Sequence, residues 1–571
     1  MKNKINICLS VGLFLPAMFL SSCFGNNFAS EKMYKYKIEE RVNATKKLAH
    51  KRAKELFGVF DKDISKEERE YLKFLYAYMP LCDLADYNGE FFLKHVKSSI
   101  RARKTFLWSK KIPEKIFRHF VLVPRVGSEK LDLARLYFYE ELKDRIKGLS
   151  LKEAILEINH WCHEKVTYQP ADGRTSSPLA TLKTGYGRCG EETVVTIGAL
   201  RSVGIPARQI YTPRWAHTDS NHAWVEVWLD GNWYYFGACE PEPELNMGWF
   251  KEAARRTMLV FSDVFGDFNA NDEIVNKNEN YTRINILSHY ADAKKIFVKV
   301  IDEDEQPVKN AKVDFEVYNY GRFCPIAKLK TDNKGLASLT TGLGDVFVRA
   351  RKDGKDAAKK ISVTKDSDMF LLRLEKDYKG HSDSDLVFHP PVEKRPYRYA
   401  ADARKQKDNE IRLKEEDRIR EEYIKTFTDE NLSFEIADRL GTDRNETWTF
   451  LDKSEGNWRE IKEFIETRTS ENKEAAYKLL ENISDKDLRD ITADILYDHF
   501  DNTLKKYNRK DYKSDDIYYK YMLNPRIYYE NIVAYRKHFQ DKFADIANLK
   551  RSEIVAKLLT RIKKDIRIQK E

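Results

Sequence analysis

Cys189 and His222 stand in the densest group of chemically competent residues in this chain. A cysteine attacks a carbonyl carbon as the thiolate, and a position at the start of a helix predicts a lowered thiol pKa through the unpaired N–H groups and the dipole there. Glycines at 185, 187 and 190 let the backbone approach a substrate, and N–H groups at the helix start can form an oxyanion hole. His222 can then act as base and later as acid. The pattern predicts thiol catalysis on a carbonyl compound.

Two helices and a hairpin are the elements that must position these residues. A capping box at 150–153 opens an apolar helical stripe, and a second helix begins near Cys189 and ends at Gly204. Apolar residues alternate with polar and aromatic ones over 222–229, which predicts a strand, and Asp230-Gly231 predicts a turn into a second strand over 233–236.

Three motifs within residues 150–250 together resemble the transglutaminase-like superfamily. They are Gly-x-Gly-x-Cys-Gly-Glu at 185–191, Gly-Ile-Pro-Ala-Arg at 204–208 and His-Ala-Trp-Val-Glu-Val at 222–227. The resemblance implies a papain-like α+β core that acts on amide or peptide bonds, with Cys189 as nucleophile and His222 as base. It implies no cofactor and no metal.

The third catalytic residue departs from that family. Its pattern places an Asp four residues after Trp233, where this chain has Gly237, and glycine cannot orient an imidazole. Two hairpin registers remain open: a three-residue loop places Glu240 opposite His222, and a two-residue turn places Cys239 there. Glu240 is the predicted orienting acid.

Alternatives to this assignment stay open at the level of sequence. Glu226 and Asp219 are the other candidate acids, and Glu240 beside two prolines is equally consistent with a solvated turn. Loss of the orienting acid would leave a catalytically weak or inactive protein that binds peptide or glycan.

Further residues have the chemistry of substrate contacts or of metal ligands. Tyr186, Gly187, Trp215 and Trp224 are predicted to line the substrate site. His160, Cys162 and His163 lie close together on one predicted helix, but Cys162 belongs to its apolar stripe and no second ligand cluster follows, so no metal site is predicted.

The chain has 571 residues, 42% hydrophobic and 34% charged, which excludes a mostly disordered chain and predicts several domains. Its formal net charge of +10 suits anionic surfaces, and no nucleic-acid motif accompanies it. Residues 306–313 and 331–335 resemble carboxypeptidase-regulatory-like and immunoglobulin-like modules. The predicted class is an α+β multidomain protein, with a signal at 1–22, a helical region at 23–149, the transglutaminase-like core at 150–285, a small immunoglobulin-like β-sandwich at 290–376, a charged linker at 377–404 and a helical region at 405–571.

The first residues have the pattern of an export signal. Positive charge at 1–4 precedes an apolar run over 5–20, and Cys23 after small residues resembles the lipobox of Gram-negative bacterial lipoproteins. We expect Cys23 to be lipidated and the protein to be anchored to a membrane, periplasmic or at the cell surface. An ordinary cleaved signal that leaves Cys23 free is the alternative.

The sequence therefore predicts an exported thiol-dependent hydrolase or acyltransferase. Its expected partners are a protein or peptide substrate, including cell-wall peptides, and a membrane through the lipid anchor, with no nucleic acid.

Overall fold

The computed structural model describes residues 17–49, 52–171, 173–376, 387–392, 402–427, 429–468, 471–528, 530–546 and 548–565. Helices and sheets are both present, so the prediction of a mixed helix and sheet protein is confirmed. Of the predicted signal, residues 1–16 lie outside the described residues, as do most residues of the predicted linker.

The N-terminal helices enclose a core of aromatic and aliphatic side chains that includes Leu72, Tyr76 and Phe92. A capping box begins α3, because the Ser65 hydroxyl accepts the Glu68 N–H and the Glu68 carboxylate accepts the Ser65 N–H. The helices are α1 (Ala17–Ala49), α2 (Ala53–Phe57), α3 (Lys66–Tyr78), α4 (Leu81–Asp86), α5 (Gly89–Thr105), α6 (Leu107–Lys110), α7 (Glu114–Phe117) and α8 (Ala134–Leu142), with a 3₁₀ turn at Gly58–Asp61 and a π-turn at Arg118–Leu122.

The central region packs helices against one large sheet. Apolar residues of α9, α11 and the first three strands of that sheet share one core, in which Ile158, Ile197 and Val225 are fully buried. The elements are α9 (Leu151–Lys165), β1 (Thr167–Tyr168), α10 (Pro178–Thr184), β2 (Tyr186–Gly187), α11 (Cys189–Ser202), β3 (Ala207–Thr212), β4 (His222–Leu229), β5 (Asn232–Phe236), α12 (Lys251–Ala254), β6 (Phe261–Phe265), β7 (Glu273–Lys277) and β8 (Tyr281–Asn285).

The large sheet has the strand order β5-β4-β3-β6-β8-β7, and its register fixes the site. Val225 pairs with Phe236 and Leu229 with Asn232, which is the register of a two-residue turn. Both turn residues have positive φ, 48° at Asp230 and 92° at Gly231, as such a turn requires. Of the two registers left open by the sequence, the structure has that of the two-residue turn, but the pairing ends at Phe236, before it reaches residue 239.

Residues 293–373 form two smaller sheets over one apolar core that includes Val298, Phe315 and Val348. Their strand orders are β11-β10-β13-β14 and β12-β9-β15, and β15 runs parallel to β9. The strands are β9 (Ala293–Ile301), β10 (Lys312–Asn319), β11 (Arg322–Lys330), β12 (Leu336–Gly342), β13 (Asp345–Lys352), β14 (Lys355–Ser362) and β15 (Met369–Arg373).

The C-terminal helices have their own core, with Ile461, Phe464 and Leu496 fully buried. Within the described part of the chain, no helix is long and apolar enough to cross a membrane. The elements are α13 (Ala403–Ile424), α14 (Glu430–Leu440), α15 (Arg444–Lys453), α16 (Trp458–Glu466), α17 (Lys473–Asn482), α18 (Asp485–Leu488), α19 (Ala493–Leu504), α20 (Arg536–Lys542) and α21 (Arg551–Asp565), with a π-turn at Ile517–Leu523.

Candidate active site

Cys189 is the first residue of α11 and opens onto a cleft of about 1360 Å³. The helix start is held by Glu191, whose carboxylate accepts hydrogen bonds from the backbone N–H groups of Arg188 (3.2 Å) and Ser176 (3.2 Å). His222, the first residue of β4, lines the same cleft, as does Glu240. The structure therefore brings together the three residues that the sequence singled out.

Four aromatic side chains pack around the ring of His222. Its ring centroid is 4.8 Å from that of Trp249, 5.0 Å from Phe250, 5.8 Å from Trp224 and 6.2 Å from Trp215. This burial lowers the pKa of His222 to about 4, so the imidazole is neutral at physiological pH. Its Nε2 atom has no hydrogen-bond partner among the described residues, which leaves the ring able to accept a proton.

The pKa of Cys189 differs from the sequence expectation. Burial raises it, and a backbone hydrogen bond from Ala223 only partly opposes that effect. A position at a helix start predicts a lowered thiol pKa, but local sequence carries no measure of how far the thiol is desolvated. In the resting site the thiol of Cys189 and the imidazole of His222, which line the same cleft, are therefore both neutral.

Glu240 does not lie on the ladder opposite His222. The chain leaves β5 at Phe236 and makes a tight turn closed by a bridge between Gly237 and Glu240. Both oxygens of the Glu240 carboxylate accept from the indole N–H of Trp249, at 3.0 Å each. Burial raises the pKa of Glu240 to about 7. Trp249 thus contacts both Glu240 and the ring of His222.

The Glu240 carboxylate occupies the space that a side chain at Gly237 would fill. A Cβ atom built on Gly237 would collide with the carboxylate oxygen of Glu240 and approach its Cβ to 2.9 Å. Position 237 is where the family pattern has its Asp. The Glu240 carboxylate therefore lies where a side chain at position 237 would begin, so a carboxylate is present at that point of the site.

Asn159 of α9 stabilises the turn at 237–240 through two hydrogen bonds. Its side-chain amide donates to the carbonyl oxygen of Gly237 (2.9 Å), and its side-chain oxygen accepts the N–H of Cys239 (3.0 Å). Cys239 has a φ of 55° and is buried, so it points into the core and not towards His222. On the outer side, Asn409 of α13 donates to the carbonyl oxygen of Pro241 (3.0 Å).

Of the two alternative acids, Glu226 is already engaged. Its carboxylate binds Arg208 (2.6 and 2.7 Å) and accepts from the Tyr290 hydroxyl (2.5 Å). Burial alone would raise its pKa, but Arg208, His289 and Tyr290 lower the pKa of Glu226 to about 2. The second acid, Asp219, is exposed and accepts the backbone N–H of Tyr320 at 2.7 Å.

The four predicted substrate contacts are not among the described residues that line the cleft. Trp224 is fully buried and donates to the Tyr290 hydroxyl (3.0 Å), and Trp215 is nearly so. A Cβ atom on Gly187 would meet the Cβ of Glu191 at 2.6 Å, so this glycine serves packing at the helix start. Tyr186 pairs with Thr167 in the short sheet.

The two histidines weighed as metal ligands meet one carboxylate instead. Glu416 of α13 lies 2.8 Å from Nδ1 of His160 and 2.9 Å from Nδ1 of His163, while Cys162 is buried in the core. The described residues include no group of three or more ligating side chains that could hold a metal ion.

Trp249, Asn159 and Glu192 are site residues that the sequence analysis missed. Trp249 is 62% exposed and lines the cleft, an unusual place for so large an apolar ring. Glu192 lies one helical turn after Cys189 and also lines the cleft, and burial together with Cys239 and Glu240 raises its pKa well above the ordinary value. The Gly-Glu-Glu sequence after Cys189 was the available signal for Glu192.

The structure thus has a cysteine at a helix start and a histidine at a strand start on one cleft. Residues 140–238 match the family model described as the Transglutaminase-like superfamily, so the chain contains a transglutaminase-like domain and the predicted resemblance is confirmed.

No curated protein matches the chain. A Cytophaga hutchinsonii structure described as a candidate cysteine protease is similar at 18% identity with a TM-score of 0.20, over 25% of this chain and 48% of its own. A streptococcal ancillary pilin is similar at 7% identity with a TM-score of 0.14, over 30% of this chain and 62% of its own. The chain thus spans about half of the first of these structures, and at these TM-scores neither supports an inference about activity.

The raised thiol pKa predicts how Cys189 responds to pH. A raised pKa keeps the thiol protonated to higher pH, so we expect the rate of alkylation of Cys189 by iodoacetamide to rise from pH 6 to pH 9.5 without levelling off. Fully buried Cys162 is the internal control and should react more slowly throughout. Mass spectrometry of the two cysteine peptides measures both rates, and a plateau below pH 8 would instead indicate a thiolate paired with imidazolium.

Proposed function

We propose that this protein is a thiol-dependent hydrolase of amide or peptide bonds, with Cys189 as nucleophile, His222 as base and acid, and Glu240 as the residue that orients His222. The observation that carries the proposal is the position of the Glu240 carboxylate in the space of residue 237, on the cleft that Cys189 and His222 share. A protein or peptide substrate, such as a cell-wall peptide, is part of the proposal.

In the acylation step, the sulfur of Cys189 bonds to the carbonyl carbon while its proton passes to His222. Backbone N–H groups at the start of α11 stabilise the oxyanion that forms. Collapse of this adduct breaks the C–N bond, and the leaving amine takes the proton from His222, which leaves a thioester on Cys189. A neutral imidazole suits this step because it can accept the thiol proton.

In the deacylation step, water gives a proton to His222 and attacks the thioester carbon. The new carboxylic acid leaves, and the proton returns to the sulfur. The cleft is open to solvent, with exposed Trp249, Tyr168 and Tyr320 along it, so water reaches the thioester and hydrolysis is favoured over transfer to an amine.

Products formed in heavy-oxygen water test this chemistry. After incubation with a pool of peptides and an added primary amine, we expect new carboxylates that carry one heavy oxygen, found by mass spectrometry. Products joined to the added amine would instead indicate acyl transfer. Absence of both products, together with an unmodified Cys189, would contradict the proposal.

A second candidate function is a binding protein with little or no turnover. The specific observation in its favour is that Glu240 bonds to Trp249 and makes no hydrogen bond to His222 among the described residues. In that case peptides would protect Cys189 from alkylation without being cleaved.

We further propose that the protein is exported and lipid-anchored through Cys23, with the two sheets of residues 293–373 as an immunoglobulin-like spacer. The basis is the residue pattern of the first 23 positions. Metabolic labelling with a fatty-acid analogue should mark the wild-type protein and not Cys23→Ala. Equal labelling of both would remove the anchor from the proposal.

A further inference from the structure

A compact loop at Arg125 is built from six hydrogen bonds. The guanidinium of Arg125 donates through Nε and Nη2 to the two oxygens of Asp83, and through Nη1 to the carbonyl oxygens of Gly127 and Glu129. The Glu129 carboxylate accepts the backbone N–H groups of Val126 and Gly127, at 2.7 Å each.

The same six hydrogen bonds recur about 400 residues later, in the C-terminal helical region. Arg526 donates through Nε and Nη2 to Asp487, and through Nη1 to the carbonyl oxygens of Tyr528 and Glu530. The Glu530 carboxylate accepts the N–H groups of Ile527 (2.8 Å) and Tyr528 (2.7 Å). Atom for atom, the second loop repeats the first.

The helices beside the two loops repeat as well. In α5 the Nε2 of His95 lies 3.0 Å from the carbonyl oxygen of Asp132, and in α19 the Nε2 of His499 lies 3.1 Å from that of Val533. Asp132 and Val533 each stand seven residues after the loop arginine, and an Asp-Leu-x-Asp motif begins twelve residues before each histidine. A π-turn also precedes each loop. Residues 83–132 and 487–533 are therefore two copies of one helical module.

The two copies contact each other reciprocally. Asn531 of the second copy donates to the carboxylate of Asp86 in the first (2.8 Å), and Lys130 of the first pairs with Asp490 of the second (3.3 Å). Lys130 and Asn531 stand five residues after their loop arginines, and Asp86 and Asp490 three residues after their loop-binding Asp. Exchange of equivalent positions is the signature of a two-fold interface, here within one chain.

A cavity of about 340 Å³ lies along this seam and continues the catalytic cleft. Ser128, Gly173, Thr175, Glu530 and Asn531 line both spaces. Thr175 also adjoins the helix start, since its hydroxyl lies 3.7 Å from a Cβ built on Gly190, the residue after Cys189. A substrate bound at Cys189 can therefore extend past Thr175 into the seam.

The lining of the seam cavity carries side chains of both charges. Lys130, Arg174, Lys486 and Arg526 supply cations, and Asp487, Asp490 and Glu530 supply carboxylates. Among the described lining residues there is no aromatic ring, the usual platform for a sugar face. A volume near the lower end for ligand sites suits a short segment of chain. These properties favour a peptide with side chains of both charges over an oligosaccharide.

We propose that the seam between the two module copies is a remote subsite, which holds a mixed-charge peptide segment of the substrate whose amide bond reaches Cys189. The inference rests on the proposed function and names its substrate class and a site for it. Each copy supplies part of the lining, and residues 173–176 and Lys486 supply the rest, so neither copy alone would form the subsite.

Peptide electrophiles of two lengths test the subsite in the full-length protein. A hexapeptide of alternating Lys and Glu is compared with Gly-Gly. Each peptide is made in two forms, one with an N-terminal chloroacetyl group and one as the C-terminal chloromethyl ketone. The two forms test both directions in which the peptide chain could run from Cys189 into the seam. We expect the hexapeptide of one orientation to alkylate Cys189 at least about tenfold faster than Gly-Gly. No advantage in either orientation would overturn the subsite.

Ser176 provides a matched pair of variants. It lines the seam cavity but not the catalytic cleft, and its backbone N–H, not its side chain, binds Glu191. Ser176→Trp fills the cavity and should abolish the hexapeptide advantage, while Ser176→Ala should keep it, with iodoacetamide rates and melting temperatures unchanged in both. An advantage that persists in Ser176→Trp would overturn the proposal.

Two further outcomes separate the proposals. If a neutral oligosaccharide protects Cys189 and the hexapeptide does not, the peptide assignment is wrong. If wild-type protein cleaves amides but shows no length effect, the subsite fails and the proposed function stands. If the length effect is present and no amide is cleaved, the proposed hydrolase fails and the seam remains a binding site.

Discussion

We expect Cys189→Ser and His222→Gln each to lower the rate of amide cleavage by at least about 10³-fold. A serine hydroxyl is far harder to ionise than a thiol. The neutral imidazole of His222 would have to take the proton from this hydroxyl before the oxygen can attack. The aromatic rings of Trp249 and Phe250 pack around the imidazole of His222 and cannot accept a proton. Without His222, this part of the site therefore has no acceptor for the thiol proton. Cleavage of a peptide found in the heavy-oxygen experiment, followed by mass spectrometry, measures the loss.

Cys82→Ser is the control for general effects of thiol removal. Cys82 is exposed and lines the same cleft, yet it lies in α4 and not at the start of α11. We expect this variant to retain wild-type cleavage. If Cys82→Ser and Cys189→Ser lowered the cleavage rate equally, both substitutions would act by disturbing the cleft, and the thiol of Cys189 would have no special role.

The arrangement around Cys189 and His222 was predictable where local sequence determines it. The glycine-flanked Cys189 marked a helix start, and the alternation from His222 marked a strand, because both signals depend on neighbouring residues only. The hairpin register stayed open, since Asp230-Gly231 and Asp230-Gly231-Asn232 are both acceptable loops. Positive φ at residues 230 and 231 selects the two-residue turn.

The features that sequence did not predict depend on distant contacts. The raised pKa of Cys189 follows from burial, and the turn that carries Glu240 is held by Asn159 from one side and Asn409 from the other. Neither residue stands near position 240 in the sequence.

The module repeat also escaped sequence analysis. Its shared residues are few: Asp-Leu-x-Asp, a histidine twelve residues on, and Pro-Arg with a glutamate four residues after the arginine. The arginine stands 42 residues after the Asp in one copy and 39 in the other, so no fixed period marks the repeat. The hydrogen bonds reveal it because they join the same atoms in both copies.

Glu240→Gln is expected to lower the cleavage rate by one to four orders of magnitude, about 10-fold to 10⁴-fold. Glutamine keeps the shape and can still accept from Trp249, but it removes the charge that would stabilise an imidazolium at His222. The pH profile offers a second readout. Because burial raises the pKa of Glu240 to about 7, the wild-type rate should rise as this carboxyl ionises through about pH 7, and that rise should be absent in Glu240→Gln.

Variants at Gly237 separate a positioning role from a structural one. Gly237→Ala places a Cβ where the Glu240 carboxylate lies, so it should displace the carboxylate and lower the rate as Glu240→Gln does. The double variant Gly237→Asp with Glu240→Gly removes both clashing atoms of residue 240, the carboxylate oxygen and the Cβ, and returns a carboxylate to the same space from the other residue. We expect it to recover at least about tenfold over Glu240→Gly alone. If the double variant stays as slow as Glu240→Gly while melting at the wild-type temperature, or if Glu240→Gln cleaves at the wild-type rate, then Glu240 does not orient His222, and the Cys189–His222 pair acts without it.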